Sequence, residues 1–540
     1  MAVYTIQATF GRGELTPKLH SRADLDLWKM GLKTCLNFTV LRQGGAARRP
    51  GTQYIDAVRN QDRPARLIPF IYNSGPNAQT YVLVLNDGVF RAYALGGRVA
   101  GVEVAHPYAD ADLFQIDYDQ TNDVLDLAHK NYAPRRIARQ SDTSWSINTV
   151  QFRFGPHLPV NVTATSLTPS ATGNAIPQMT GNTAPSGTAA ASSVNTYPAW
   201  GAFDRDGTTT WTAASKATEW LSYTFPIAKV ITGYSVQCGT GAIGGDLYTN
   251  RAPRTWTFEG FDGTNWIVLD SQFGQTSWSD NEIRFFRFIN PTAYIGYRIN
   301  VSSNNGGAYI AIAEMAFTED TNTAPAVTLT ASSTVGINGG AGFSSSDVGR
   351  IIAVLGSNAV YRAFAITAVV SSTVVQAKLD DAPLPTVQST LQWRLGAWGA
   401  TPGWPAHVCT FEGRKIYART NAQPSGIWGT KSGGYGTMLD FSTTVPVQDD
   451  DAISFTLTDV NEIQWIAEGS DLLIGTAGAA RTMGRDSPNL PFSANNYRQS
   501  LASTYASNPV KVAALPDVAQ VVMTSRAAAE AQPSPKVVAP

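Results

Sequence analysis

A-F-D-R-D-G-T-T-T-W (Ala202 to Trp211), E-W-L-S-Y-T-F (Glu219 to Phe225), N-R-A-P-R-T-W-T-F-E-G-F-D-G-T-N-W (Asn250 to Trp266) and I-A-E-M-A-F (Ile312 to Phe317) are four pieces of one stretch that decides the fold of the middle of this chain. Trp220, Ser222 and Thr224 alternate with Leu221, Tyr223 and Phe225, and Thr255 to Phe261 repeats the pattern. Such alternation marks strands half buried against a second sheet. Asp206-Gly207 and Asp262-Gly263 are turn dipeptides between such runs. The stretch reads as a β-sandwich.

Together the four pieces resemble the discoidin, or coagulation-factor type C, family, a galactose-binding-like jelly roll shared by many carbohydrate-binding modules. The resemblance implies a structural calcium ion where the first loop meets the last strand, at Gly201, Asp204, Asp206, Thr209, Ala313 and Glu314. Carboxylates, a threonine oxygen and main-chain carbonyls would supply about six hard oxygen ligands, which suits calcium better than a transition metal. The plain alternative for D-R-D-G-T is an Asp-rich turn bonded to its own backbone. An EF-hand loop does not fit, because Thr209 and Ser215 stand where it needs Gly and Glu.

The same resemblance puts ligand recognition on loops at one end of the sandwich, here Gly239 to Arg251 and Ser302 to Tyr309. Tyr248 is the candidate to stack on a sugar's apolar face, with Asn250, Arg251, Asn304 and Asn305 bonding its hydroxyls. Arg251 serves equally as an anchor of its own loop. Gly239, Gly241 and Gly244 spell G-x-G-x-x-G, but the chain runs on through Pro253 into a strand, not into the helix a dinucleotide site needs.

The whole chain has 540 residues, enough for several domains, with 15% charged residues, 47 Gly and 30 Pro. Low charge and many turn residues favour an all-β, multi-domain protein. The net charge of −1 hides +4 in residues 1–160, −4 in 161–320 and −1 thereafter. No block is as basic as a nucleic-acid binder, so sequence-specific contact with DNA is not expected. Cys35, Cys238 and Cys409 are odd in number and far apart, which suits neither a disulfide framework nor a zinc site. The N-terminus lacks a signal-peptide run, and no stretch of about 18 apolar residues is present to span a membrane.

Residues 1 to 160 read as short strands and loops with one amphipathic helix over Asp24 to Leu36, where Leu25, Trp28, Leu32 and Leu36 are spaced by three and four. Thr80 to Leu85, N-D-G and Val89 to Ala94 form a hairpin signal. The order G-E-L-T-P, R-x-D-L-x-x-W-x-x-G, Q-G-G-x-x-R-R-P-G-T, R-L-I-P-F, a hairpin and Q-x-D-Y-x-Q-T-N-D-V-L-x-L-x-H resembles the opening of the tail nozzle, or tail tubular protein B-like, family of short-tailed bacteriophages. That resemblance implies propeller-like sheets and a homo-oligomeric, hexameric ring around the DNA exit channel of the virion tail. Its implied partners are the tail adaptor and tail fibre proteins, with DNA passing through unread and synthesis in the host cytoplasm. In such a ring Arg48 and Arg49 would pair with a neighbouring subunit's carboxylates; otherwise they lie on a solvated loop.

Residues 161–197, rich in Thr, Ser, Ala, Asn, Gly and Pro, read as a flexible linker, and Thr318 to Pro325 as a second seam, so that the jelly roll of 198–318 is an insertion. Residues 326–397 form a small barrel-like β module around F-S-S-S-D-V-G-R-I-I, residues 398–505 return to nozzle-like, propeller-like sheets, and residues 506–540 are an Ala/Pro-rich tail without strand pattern. H-E-x-x-H and G-x-S-x-G are absent, and G-T-K-S at Gly429 to Ser432 is not a P-loop. No catalytic residues are assigned and no enzyme is expected. The sequence reads as a virion structural protein, a nozzle-like ring subunit whose inserted module binds host-surface carbohydrate or decorates the tail. The alternative is a stand-alone glycan-binding adhesin or an accessory part of a carbohydrate-active enzyme.

Overall fold

The hairpin signal forms as read. Strands Gln79–Asn86 and Val89–Ala94 pair from Asn86↔Val89 to Val82↔Tyr93, and the two residues between them, Asp87 and Gly88, both have positive φ (51° and 75°). A two-residue turn of that hand matches the twist of the strands it joins. The computed structural model describes residues 7–72, 79–379, 381–434, 436, 438–443, 447–458 and 461–509, with three short paired strands at 513–515, 518–521 and 537–538. These strands fall in the segment read as strandless; the rest of that Ala/Pro-rich tail beyond 509 lies outside the described residues.

Four antiparallel meanders make the frame. The first runs Arg66–Tyr72, Gln79–Asn86 and Val89–Ala94 with short edge pieces, and the second Asp117–Thr121, Val124–His129, Tyr132–Arg139 and Trp145–Thr149. The third is His407–Phe411, Arg414–Ala418, Gly426–Gly429 and Ile453–Thr456, and the fourth Ile463–Ala467, Leu472–Thr476, Ala480–Gly484 and Arg498–Ser503. Because side chains alternate across each strand, one sheet serves two cores. Ile68, Phe70 and Leu83 of the first sheet pack on Leu125, Ile137 and Trp145 of the second. Ala128 and Val150 beside it meet Val408, Tyr417 and Trp428 of the third, whose Ile416, Ile427 and Ile453 turn to Ile463, Leu472 and Ile474 of the fourth. The sheets therefore stack in chain order like successive blades.

Two further modules are nested between the second and third sheets. A six-stranded sheet runs Leu167–Pro169, Val327–Ala331, Val374–Leu379, Tyr361–Ser371, Ile351–Leu355 and Trp393–Leu395. It curls so that Leu167 also bridges Thr390, just ahead of the last strand, which gives the expected barrel-like module. Its F-S-S-S-D-V-G-R-I-I piece carries a buried pair, Arg350 Nη1 to Asp347 Oδ1 at 2.6 Å, with Ser344 capping the turn. Inside this module, between its first two strands, sits the sandwich. One sheet orders Thr188–Ala191, Glu219–Lys229, Tyr294–Asn304, Pro253–Phe261 and Trp266–Gln272; the other orders Ile283–Arg287, Ile231–Gln237 and Glu314–Glu319. Trp211, Leu221, Tyr223, Tyr234, Trp256, Phe258, Tyr297 and Phe317 fill the space between them.

The stretch 161–197 is not a linker. Leu167–Pro169 is a barrel strand and Thr188–Ala191 an edge strand of the sandwich, and Leu167, Ile176, Met179 and Ala189 are buried. Small residues let this chain lie close against larger neighbours: Gly187, at φ 72°, passes under the Tyr223 hydroxyl, which donates to Ser186 O. The seam after the sandwich is likewise a tight turn, with Thr323 N and Ala324 N both donating to Asp320 O.

The helix expected over Asp24 to Leu36 shrinks to one turn, Asp26–Lys29. Its apolar stripe finds little to bury against: Trp28 and Leu36 are 41% and 73% exposed, and Leu25 and Leu32 are only half-buried. A helix this short depends on tertiary packing for its stability. Leu32 instead exchanges backbone bonds with Gly13 and Leu15. Among the described residues no buried hydrophobic side chain precedes Ile68.

Candidate functional site

The first loop of the sandwich is shaped by its aspartates. Arg205 takes a left-handed conformation (φ 61°), which lets Asp206 N donate to Asp204 Oδ1 at 2.9 Å. The Asp206 carboxylate is spent on Thr208, accepting from its N (3.0 Å) and Oγ1 (2.7 Å). Asp206 therefore turns its carbonyl, not its side chain, toward Thr209.

Thr209 Oγ1 lies 2.7 Å from Asp204 Oδ2, 2.9 Å from Asp206 O and 3.1 Å from Gly201 O. One hydroxyl has one proton to give, so three acceptors around it leave lone pairs facing one another. Glu314, at the start of the last strand, joins the cluster from more than a hundred residues away. Its Oε1 is buried without a hydrogen-bond partner. Burial first, and then the neighbouring Asp204 carboxylate, push the Glu314 carboxyl well above the ordinary glutamate range.

Five of the six expected cation residues thus meet at one point through their oxygens, Gly201 and Asp206 by their carbonyls. A Cβ at 201 would lie 3.8 and 3.9 Å from the Cβ atoms of Tyr197 and Thr209. Ala313 is fully buried beside Glu314, its N–H donated to Gln237 O at 3.0 Å. The donor set, two carboxylates, a hydroxyl and two carbonyls, fits a hard cation of calcium's type. The Arg205 guanidinium also feels Glu314, but it donates to Ile176 O at 3.1 Å and leaves Glu314 Oε1 unbonded.

The two loops expected to recognise a ligand do come together, with their side chains turned inward. Arg251 is 3% exposed; its Nε donates to Asp246 Oδ2 (2.7 Å) and its Nη2 to Ile243 O (3.0 Å). The same Asp246 oxygen accepts from Ala308 N at 2.9 Å, so one ion pair pins both loops. Asn304 Nδ2 donates to Gly307 O (3.0 Å) and Tyr309 O (2.6 Å), and Asn305 Nδ2 to Ala252 O (2.9 Å) and Gln275 O (3.1 Å). Tyr248 is 8% exposed and stands beside Thr210, the residue next to Thr209 of the cation cluster.

Among the five candidate contact residues only Asn250 is exposed. Tyr248, Arg251, Asn304 and Asn305 are the frame of the loops, because their polar atoms are already used where they are needed to keep buried backbone satisfied. The surface they hold up belongs to Tyr197 (39% exposed), Ile243, Leu247 and the half-exposed Tyr309, over whose ring the Arg251 guanidinium sits at 5.4 Å. Sequence alone gave no signal for Tyr197, which lay in the stretch taken as a linker.

Elsewhere, Arg48 and Arg49 are exposed on and beside the short strand Ala46–Arg48, which pairs with Phe38–Val40. Cys238 and Cys409 are buried and Cys35 is partly exposed, and none of the three is in a disulfide. The described residues contain no helix long and apolar enough to cross a membrane.

No protein family matches the chain, and no curated protein does. Solved structures similar to part of it are family 32 carbohydrate-binding modules and chitosan-binding modules. The module from C. perfringens NanJ in complex with galactose is 19% identical over 24% of this chain and 92% of its own, with a TM-score of 0.21. Chitosan-binding module 1 of the Paenibacillus sp. IK-5 chitosanase/glucanase is 18% identical over 25% and 98%, with a TM-score of 0.21. The family 32 module of Streptococcus pneumoniae EndoD is 15% identical over 26% and 100%, with a TM-score of 0.22. Matches this partial carry no weight beside the strand order and core of the sandwich itself.

Proposed function

We propose that the sandwich is a glycan-binding module stapled by calcium and carried on a β-sheet frame. The observation that carries this reading is that the two features adjoin: the Asp204–Thr209–Glu314 oxygen cluster lies one residue from Thr210, which stands beside Tyr248 of the loop held by Arg251 and Asp246. A cation at the cluster ties the loop's base, and Tyr197 and Tyr309 offer apolar faces beside the loop's exposed Asn250. Aromatic faces flanked by a few polar groups are what a pyranose ring needs, since its C–H face is apolar and its rim is hydroxyl. Galactose and chitotriose, the sugars bound in solved modules, are the first probes. Calorimetric titration of the full chain with each, in calcium and in chelator, tests the reading. Saturable binding that fails in Tyr309→Ala supports it, and no binding of any glycan on an array removes it.

A second reading, the ring subunit of a phage tail, is favoured by one observation. Residues 7–65 add no buried hydrophobic side chain to any core, yet expose Trp28, Leu36, Phe38, Tyr54 and Ile55. Apolar surface of that extent calls for a partner, and a neighbouring subunit is the partner that the nozzle resemblance implies. Arg48 and Arg49 lie in this segment. Light scattering and negative-stain imaging of the purified chain decide it: a ring supports the nozzle reading, and a monomer at all concentrations leaves the adhesin.

A further inference from the structure

The opening strands of the four stacked sheets converge on a cavity of about 940 Å³ that the glycan-binding reading does not use. Arg66 and Leu67 begin the first sheet, Asp117 the second, His407 the third and Gln464 and Trp465 the fourth, and all line it together with His129 and Lys130. Blades packed face to face leave such a space where their inner strands meet, and its wall therefore draws one or two residues from each.

The polar wall is biased toward positive charge. Arg66, Lys130 and Arg419 face two carboxylates, Asp117 and Glu462. Both carboxylates are engaged: Asp117 accepts from Tyr118 N at 2.8 Å and from Val408 N and the His407 ring at 3.3 Å, and Glu462 pairs with Arg419. Arg66, much of it buried, donates to Leu113 O at 2.6 Å. The His129 side chain is 1% exposed and its Nδ1 accepts from Asn131 N at 3.1 Å, so the ring carries its proton on Nε2. That Nε2 is buried without a hydrogen-bond partner and faces Asp112 Oδ1 at 3.7 Å, so it is turned to a carboxylate of the protein itself. Leu67 and Phe114, 62% and 66% exposed, form an apolar rim.

From this wall we infer that the cavity is a binding site for a small organic oxyanion, a carboxylate or phosphate attached to a flat apolar body. The anionic group is taken by Arg66 and Lys130, and the body rests on Leu67, Phe114 and Trp465. A guanidinium and an ammonium half removed from water gain most from an anion that also fills the space around them. The site is independent of the sandwich.

Calorimetric titration of the full chain with phenyl phosphate, benzoate and benzyl alcohol tests it. One or both anions saturating a single site while benzyl alcohol does not is the expected result; binding of phenyl phosphate alone makes the natural ligand a phosphate, and of benzoate alone a carboxylate. Lys130→Gln, at a half-exposed position, should keep the melting temperature and weaken binding at least tenfold, and Arg66→Gln should do the same or more. No binding by either anion at millimolar concentration overturns the inference, as does affinity unchanged in Lys130→Gln. Galactose or chitotriose binding measured alongside keeps a failure of this site distinct from a failure of the sandwich.

Discussion

Lys415 Nζ lies 3.2 Å from Asp126 Oδ2, with both side chains 1% exposed, although 288 residues separate them in the chain. The lysine comes from the third sheet and the aspartate from the second, so the pair closes the frame across both nested modules. Asp119 Oδ2 at 2.8 Å completes the lysine's neutralisation, and Arg136 holds Asp126 from the other side at 2.7 Å. Removing one member of a buried charge cluster leaves the rest uncompensated, at a cost of about 3 kcal/mol. Lys415→Met should therefore lower the denaturant midpoint of the frame, followed by tryptophan fluorescence. A midpoint equal to that of the parent chain would mean that apolar packing alone joins the second and third sheets.

The proposed calcium staple predicts a pH dependence with a definite sign. Glu314 holds its proton more tightly in the folded sandwich than in the unfolded chain. In chelator, the stability this contributes is complete below the unfolded glutamate value and is lost as pH rises through the raised folded value. On the proposed reading calcium replaces that proton, so its stabilisation should grow over the same range, by about 2.7 kcal/mol when calcium is a hundredfold above its dissociation constant. Melting curves from pH 4 upward, with and without calcium, should diverge as pH rises. Glu314→Gln should remove the calcium response; curves that stay superimposed in the parent chain would show that the oxygen cluster takes no cation.

Arg251 and Tyr309 separate framing from contact at the loop end. Arg251→Ala leaves Asp246 without its partner in a largely buried pair, and is expected to cost about 2 kcal/mol as well as to abolish sugar binding by freeing the loop. Tyr309→Ala removes a half-exposed ring and should leave the melting temperature within about 1 °C while reducing sugar affinity at least tenfold. Equal loss of stability in both variants would place Tyr309 in the frame with Arg251.

These sites show where the residues themselves could be read in advance. The sandwich was legible because its inward positions, Leu221, Tyr223, Phe225, Trp256 and Phe258, are large and strictly alternate with polar ones. The Asp204–Glu314 meeting was legible only through the family resemblance, since each half alone is an ordinary turn or strand. The stretch 161–197 was misread because its strands, Leu-Thr-Pro and Thr-Ala-Ala-Ala, are too short to show an alternation and carry only one large apolar side chain between them. The inward bonding of Arg251, Asn304 and Asn305 was hidden for a related reason. Asn, Arg and Tyr in a loop have the same composition whether they face a ligand or satisfy the loop's own carbonyls, and only the hydrogen bonds of Arg251, Asn304 and Asn305 tell the two apart.

Asp381 is where the three parts of the chain touch, and it yields the last expectation. It belongs to the barrel-like module, its carbonyl accepts from Thr318 Oγ1 of the sandwich at 2.8 Å, and its carboxylate lies 3.8 Å from Arg153 Nη2 at the edge of the frame. Burial raises its carboxyl, while Arg362, Arg153 and Arg287 oppose that shift and favour the charge. A single carboxylate among arginines from three modules couples their stabilities, because no module can withdraw its arginine without exposing the others to an unbalanced charge. In Asp381→Ala the sandwich should unfold in its own calorimetric transition, several degrees apart from the frame, and limited proteolysis should cut at the turn around Asp320. If the parent chain already melts in separate transitions, or the variant keeps one, Asp381 does not couple the modules.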